Sequence, residues 1–145
     1  LPMASAMRGW GGYELGRTLS LTMRDREIVI NRTCARCGCE YEWGVHVAFF
    51  AQRAALTPEQ VHATVHGDAD DSAWSDEEGL LIRMVDELHD SANLSDEVWA
   101  ALATTFGVDQ ILELIALVGF YHSVSFFANG LRLSPEPNAA PFPPA

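Results

Sequence analysis

CARCGCEYEWGVH, residues 34–46, holds all three cysteines of the chain together with two glutamates and a histidine. Gly38 divides it. Upstream, from Arg24, DREIVINRTCARC places Ile28, Val29 and Cys34 at helical spacing, with Asp25 and Glu27 early, where the helix dipole favours acids. Gly38 is suited to end that helix, because a glycine takes the left-handed conformation that closes one. Downstream, a second helix starts near Cys39 and runs through EYEWGVHVAFFAQRA to about Ala54. Helix, glycine, helix is the pattern from which the rest of the chain is read.

On the second helix Cys39, Glu42 and His46 stand at offsets of three and seven, which stack on one face. Cys39 falls at the helix start, where the dipole favours a thiolate. An imidazole beside it can take or return a proton, and a glutamate can orient that ring or act as the acid. The plainer alternative is packing: a helix buries a cysteine as a small hydrophobe and satisfies a histidine with one hydrogen bond. Glu27 favours the functional reading. An acid in a largely apolar helix is costly unless paired, so it is expected to meet a basic or thiol group.

Cys34 and Cys37 form a CxxC at the end of the first helix, whereas reactive dithiols usually place one thiol at a helix start. Inert packing is the stronger reading. Zinc needs four ligands with matched spacing. Cys34, Cys37, Cys39 and His46 supply four by count, but Cys37 and Cys39 straddle a single glycine and no second ligand cluster follows. The expectation is no metal.

The remaining chain reads as helices with short connections. Residues 1–23 are expected to hold a short helix and a turn. Thr57 caps a third helix, with Pro58 first and Gln60 at the capping-box position, and Gly67 ends it. After the polar loop DADDSAW (68–74), Ser75 and Glu78 form a second capping box, for a long helix to about Ala92. Leu80, Leu81, Met84, Val85 and Leu88 give it one apolar face. Ser95 caps SDEVWAALATTF, and Gly107 ends that element. Asp109 opens a last helix through Phe127 that is apolar on nearly every side, so its second face is expected to meet another subunit. Within it Tyr121, His122 and Asn129 are polar, read as core hydrogen bonds or as pocket groups. His62, His66 and His89 are expected in solvent, and Trp43, Phe49, Phe50 and Trp99 in the core or a pocket wall. The order gives an all-α bundle of six or seven helices over residues 1–133 as one domain, with a proline-rich tail, 134–145, extended or disordered.

The 145 residues suffice for one domain with a sizeable core. A formal charge of −11 repels phosphate backbones and argues against nucleic acid. The longest apolar run, ILELIALVGF (111–120), is interrupted by Glu113 and too short to span a bilayer, so no membrane is expected. No segment reads as a secretory signal, and the absence of a first methionine leaves the natural start open. Three cysteines within six residues read as reduced thiols, hence a cytoplasmic location.

REIVINRTCARCGCEYEWGVHVAFFAQRAALTPEQV resembles the core of the carboxymuconolactone decarboxylase and AhpD-like alkylhydroperoxidase superfamily. DEEGLLIRMVDELHDSANLSDEVWAAL and DQILELIALVGFYHSVSFFANGL resemble it too, so the likeness covers about residues 5–133. The peroxidase branch carries a glutamate, eleven residues, CxxC, three residues and a histidine; these positions are here Glu27, Cys39, Glu42 and His46. Glu42 thus replaces the second thiol, as in the decarboxylase branch, while Cys39 keeps the peroxidase character. A sulfenate on Cys39 would need Cys34, Cys37 or an external thiol to resolve it.

The resemblance implies cofactor-free acid–base chemistry on a small organic acid or lactone, with Glu27, Glu42 and His46 moving protons and Cys39 assisting. The alternatives are hydroperoxide reduction through Cys39 and a non-catalytic oligomeric binder of a small molecule. A homotrimer or homohexamer is implied as well. An anionic substrate needs a local base, for which Arg32, Arg36 and Arg53 are the candidates by proximity in sequence.

Overall fold

The computed structural model describes all 145 residues and contains seven helices and no strand. They are α1 (Pro2–Glu14), α2 (Met23–Arg36), α3 (Glu40–Phe50), α4 (Pro58–His66), α5 (Asp76–Ser91), α6 (Asp96–Thr105) and α7 (Val108–Gly130). α2 is the axis: it packs on α3, α4, α5 and α7, and every residue from Arg26 to Cys34 is buried. Four of those nine side chains are charged or amide groups, so this central position requires each to be satisfied. Arg26 pairs with Glu27. Asn31 donates to the Glu27 carbonyl at 2.7 Å, although its own Oδ1 is buried without a partner. Arg32 grips Asp86 through two nitrogens, each at 2.8 Å, and donates to the carbonyls of Thr64 and Gly67. Thr33 bonds back to Val29 O at 2.7 Å.

Gly38 closes α2 as expected, at φ +60°. The amide of Cys39 donates to Cys34 O at 2.8 Å and that of Gly38 to Ala35 O at 3.0 Å, the paired bonds of a Schellman motif. The reversal puts Cys39 at the N-cap of α3. Both expected capping boxes are present, Thr57 with Gln60 and Ser75 with Glu78, and Ser95 accepts from the Val98 amide.

Several boundaries differ from the sequence reading. α1 is a full thirteen-residue helix. α3 ends at Phe50 rather than near Ala54, and residues 51–55 form turns that close with Ala55 at φ 54°. Gly107 is the N-cap of α7 rather than the stop of α6, and its amide donates to Gln110 Oε1 at 3.0 Å. Trp43 is core, its indole N–H on Thr64 Oγ1 at 3.0 Å, and Phe49, though exposed, lines a cleft, but Trp99 is exposed.

At 23 residues, α7 is longer than its uninterrupted apolar run and, by length and composition alone, could cross a membrane. In the fold it lies against α1, α2, α3 and α6. Its Glu113 accepts from the Tyr13 hydroxyl at 2.9 Å and from Ser20 Oγ at 2.6 Å. Within one chain α7 is not covered all round: Leu112, Phe126 and Phe127 face outward.

The tail is extended and docked. Ala140 N–H donates to Gly44 O at 3.1 Å, Phe142 N–H to Glu40 Oε2 at 2.9 Å, and the Phe142 ring packs edge-on against Trp43 at 5.1 Å. His62 and His66, exposed as expected, meet the Pro144 and Pro143 carbonyls at 3.2 and 2.8 Å. Gly44 permits this docking, because a Cβ there would stand 2.2 Å from Ala140 O. Gly44→Ala is therefore expected to displace the tail. Hydrogen exchange should show the Ala140 and Phe142 amides losing protection while α2 and α5 keep theirs; unchanged protection would contradict this docking.

Candidate active site

The Schellman turn sets α3 against α2 so that His46 lies over Glu27. His46 Nδ1 meets Glu27 Oε2 at 2.7 Å. The other Glu27 oxygen accepts from Arg26 Nη2 at 2.9 Å and Nε at 3.1 Å. On the far side of the ring, His46 Nε2 faces the Tyr121 hydroxyl at 3.1 Å and Glu42 Oε1 at 3.4 Å. Glu27, His46, Arg26 and Tyr121 are all buried, while Glu42 retains some solvent access. A carboxylate only accepts, so His46 Nδ1 carries a hydrogen toward Glu27. Nε2 is then free to accept from Tyr121 or, once protonated, to donate to Glu42. The array can hold a proton at Nε2 and exchange it with solvent by way of Glu42.

Burial opposes protonation of His46, but the hydrogen bonds and charges of Glu27 and Glu42 outweigh it and lift its pKa above the ordinary 6.5. Tyr121 is pushed far up, first by burial and then by the Glu42 charge, so it acts as a neutral donor. A folded state that holds the His46 proton more tightly than the unfolded chain gains stability that is fully present below about pH 6.5. That gain is lost as pH rises through the folded-state value. An NMR titration of the His46 ring is expected to give a midpoint above 6.5, with a falling unfolding free energy across the same window. A midpoint at or below 6.5 would mean that burial outweighs the carboxylates.

Of the four residues singled out in the sequence, Glu27, Glu42 and His46 converge. Cys39 is fully buried at the N-cap of α3 without capping it by its side chain. All three thiols are free. Burial raises the pKa of Cys34 strongly and of Cys37 to a lesser degree, with Ser125 offsetting part of it, which suits packing rather than a reactive dithiol.

Arg26 has no counterpart in the sequence reading; its signal was an arginine adjacent to the buried acid. Tyr121 resolves as a site group through its bond to His46. Arg32 and Arg36 are committed elsewhere, to Asp86 and to Asp86 with Asp90. Arg53 has no carboxylate partner and lies 5.5 Å over the Phe50 ring, whose centroid is 5.2 Å from that of His46. A cleft of about 670 Å³ lies between the 69–75 loop, α5 and α6 and includes none of these groups. A smaller one of about 320 Å³ is lined by Glu42, Tyr41, Val45 and Phe49 and closed by Glu136, Pro137 and Asn138 of the tail. Tyr41 donates to Glu136 at 2.8 Å across it.

An all-α bundle with a buried carboxylate–imidazole–phenol relay is the class that fold and geometry define. The chain belongs to the carboxymuconolactone decarboxylase family, whose sequence model matches residues 3–84, more than half of the chain and all of α2 and α3. Among solved structures, a protein of unknown function from Agrobacterium tumefaciens, described as a proposed antioxidant defence protein AhpD, is similar in fold. It shares 17% identity at a TM-score of 0.83, over 94% of this chain and 92% of its own. That likeness carries the fold alone. No curated protein matches the chain.

Proposed function

We propose that the protein is an acid–base enzyme that decarboxylates a small organic acid or lactone without a cofactor. The observation that carries this reading is His46, held at Nδ1 by Glu27 and flanked at Nε2 by Tyr121 and Glu42. A lactone carboxylate would dock toward Arg53, the one cation of the three sequence candidates with no carboxylate partner. As the carbon–carboxylate bond breaks, carbon dioxide leaves and its electron pair passes into an enolate. Tyr121 and protonated His46 stabilise that charge, and His46 Nε2 delivers a proton to carbon. Glu42 returns a proton from solvent, and Glu27 holds the ring in place throughout.

The test is a panel of small lactone and β,γ-unsaturated carboxylic acids incubated in D₂O. Carbon dioxide release with one deuterium on product carbon is expected, and Arg53→Gln should raise KM more than it lowers kcat. Release without solvent deuterium, or none across the panel, would remove the reading.

The neighbouring thiols favour a second reading, hydroperoxide reduction. Cys39 sulfur would attack the peroxide, an alcohol would leave, and a second thiol would displace water from the sulfenate to give a disulfide. Glu42 occupies the usual resolving position, so that thiol would be Cys34 or Cys37. Intact mass after mild hydroperoxide treatment, with Cys39→Ser alongside, separates the two readings. Rapid stoichiometric oxidation at Cys39 alone would favour the thiol route.

The same proposal includes a homo-oligomer assembled through α7, supported by the outward-facing Leu112, Phe126 and Phe127. Light scattering of the purified chain reads the mass directly, and a monomer would rule it out.

A further inference from the structure

A second group of chemistry-bearing side chains lies outside the relay, where the end of α2, the end of α5 and the middle of α7 meet. Cys37 is the C-cap of α2, His89 lies in the last turn of α5, and His122 is on α7. The Cys37 sulfur and one nitrogen of each ring all lie within 4.8 Å of one another, and all three residues are half-buried. From these positions we propose that Cys37, His89 and His122 form a binding site for a zinc-class divalent metal ion, with water completing the coordination.

The hydrogen bonds support this directly. His122 Nδ1 is 2.8 Å from Val118 O. A carbonyl only accepts, so Nδ1 carries the hydrogen and Nε2 presents its lone pair to the cluster. Metal-bound histidines are oriented in the same way, through a donated hydrogen bond from the far nitrogen. His89 Nδ1 lies 2.9 Å from that Nε2 and must donate to it. The two rings thus share a hydrogen where a cation can replace it. On binding, the His89 hydrogen moves to its outer nitrogen and the Cys37 thiol releases its proton to solvent. The metal then takes two neutral imidazoles and one thiolate.

The dimensions are compatible. Bonds of about 2.0–2.3 Å in a tetrahedron separate ligand atoms by roughly 3.3–3.6 Å. The rings need to part slightly and the thiol to close in, which side-chain rotation can supply. Borderline-soft sulfur and nitrogen donors select zinc over magnesium or calcium. Asp86 and Asp90, the acids nearest His89, are held by Arg32 and Arg36, which leaves the fourth position to water. Bound metal would pin the Cys37 end of the turn that positions Cys39, with Asn129 already holding the Cys37 carbonyl at 3.0 Å.

The test uses the reduced full-length chain and Co²⁺ alone as a spectroscopic stand-in. One equivalent is expected to bind with a near-ultraviolet sulfur-to-cobalt charge-transfer band and tetrahedral visible bands, both abolished by one equivalent of Zn²⁺. Cys37→Ser should lose the charge-transfer band, His89→Gln should lose stoichiometric binding, and Cys39→Ser should keep both. His89 is partly exposed, so its variant should fold, as circular dichroism will show. Zn²⁺ should raise the Tm of the wild type and not that of His89→Gln. A band that survives in Cys37→Ser, a band lost in Cys39→Ser, or no band in folded wild-type protein would each overturn the proposal.

Discussion

Replacing Glu27 with alanine is expected to lower the unfolding free energy by about 3–5 kcal/mol, the usual cost of breaking a buried ion pair from one side. Three consequences combine. Arg26, whose side chain is 7% exposed, loses its only carboxylate partner. His46 Nδ1 loses its acceptor on the buried side of the ring. A cavity also opens in the most buried helix of the bundle. Domains of this size have roughly 5–15 kcal/mol in total, so the variant should sit near the edge of folding. Glu27→Gln should lose less, because an amide oxygen can still accept from one of the two partners. Urea unfolding followed by circular dichroism measures both. A loss under about 1 kcal/mol for alanine would show that the pair is not desolvated as the structure has it.

The second large effect is on chemistry. With a substrate found in the decarboxylation panel, His46→Gln should lower kcat by about 10²–10⁴, the range for a positioned proton-transfer group. Glutamine can still donate a hydrogen bond to Glu27, but it cannot carry a proton to carbon at neutral pH. Substrate binding should change little, since the proposed anchor is Arg53. Tyr121→Phe keeps the ring packing and removes one donor, so a smaller loss is expected, seen in kcat with KM nearly constant. Equal losses in kcat/KM for all substrates with kcat unchanged would place His46 in binding, and the relay reading would fall.

The separation between what was legible and what was not follows sequence distance. The capping boxes at Thr57–Gln60 and Ser75–Glu78 each involve residues three apart, and Gly38 needs only its own backbone preference to close α2. Such signals are local, so the helices and their order could be read directly. Glu42 and His46 are one turn apart on α3, so their shared face was legible too. Glu27 was drawn in by its cost: an acid in an apolar helix needs a partner.

Other features depend on packing between distant segments. Tyr121 reaches His46 across 75 residues of chain, and no local pattern distinguishes it from a tyrosine with an ordinary core hydrogen bond. Arg32 was a candidate base for the site, but it lies on the opposite side of α2 from His46, clamped to Asp86 and to the end of α4. The tail's docking depends on Gly44 lacking a side chain where the Ala140 carbonyl comes to rest. His89, expected in solvent, lies beside His122 because α5 and α7 flank the same end of α2. The sequence by itself determined the helices, their caps and three of the groups that converge at the candidate site, because those rest on hydrogen bonds and periodicities spanning a few residues. The tertiary structure alone decided which of the polar groups meet, because those contacts depend on how helices far apart in the chain pack around α2.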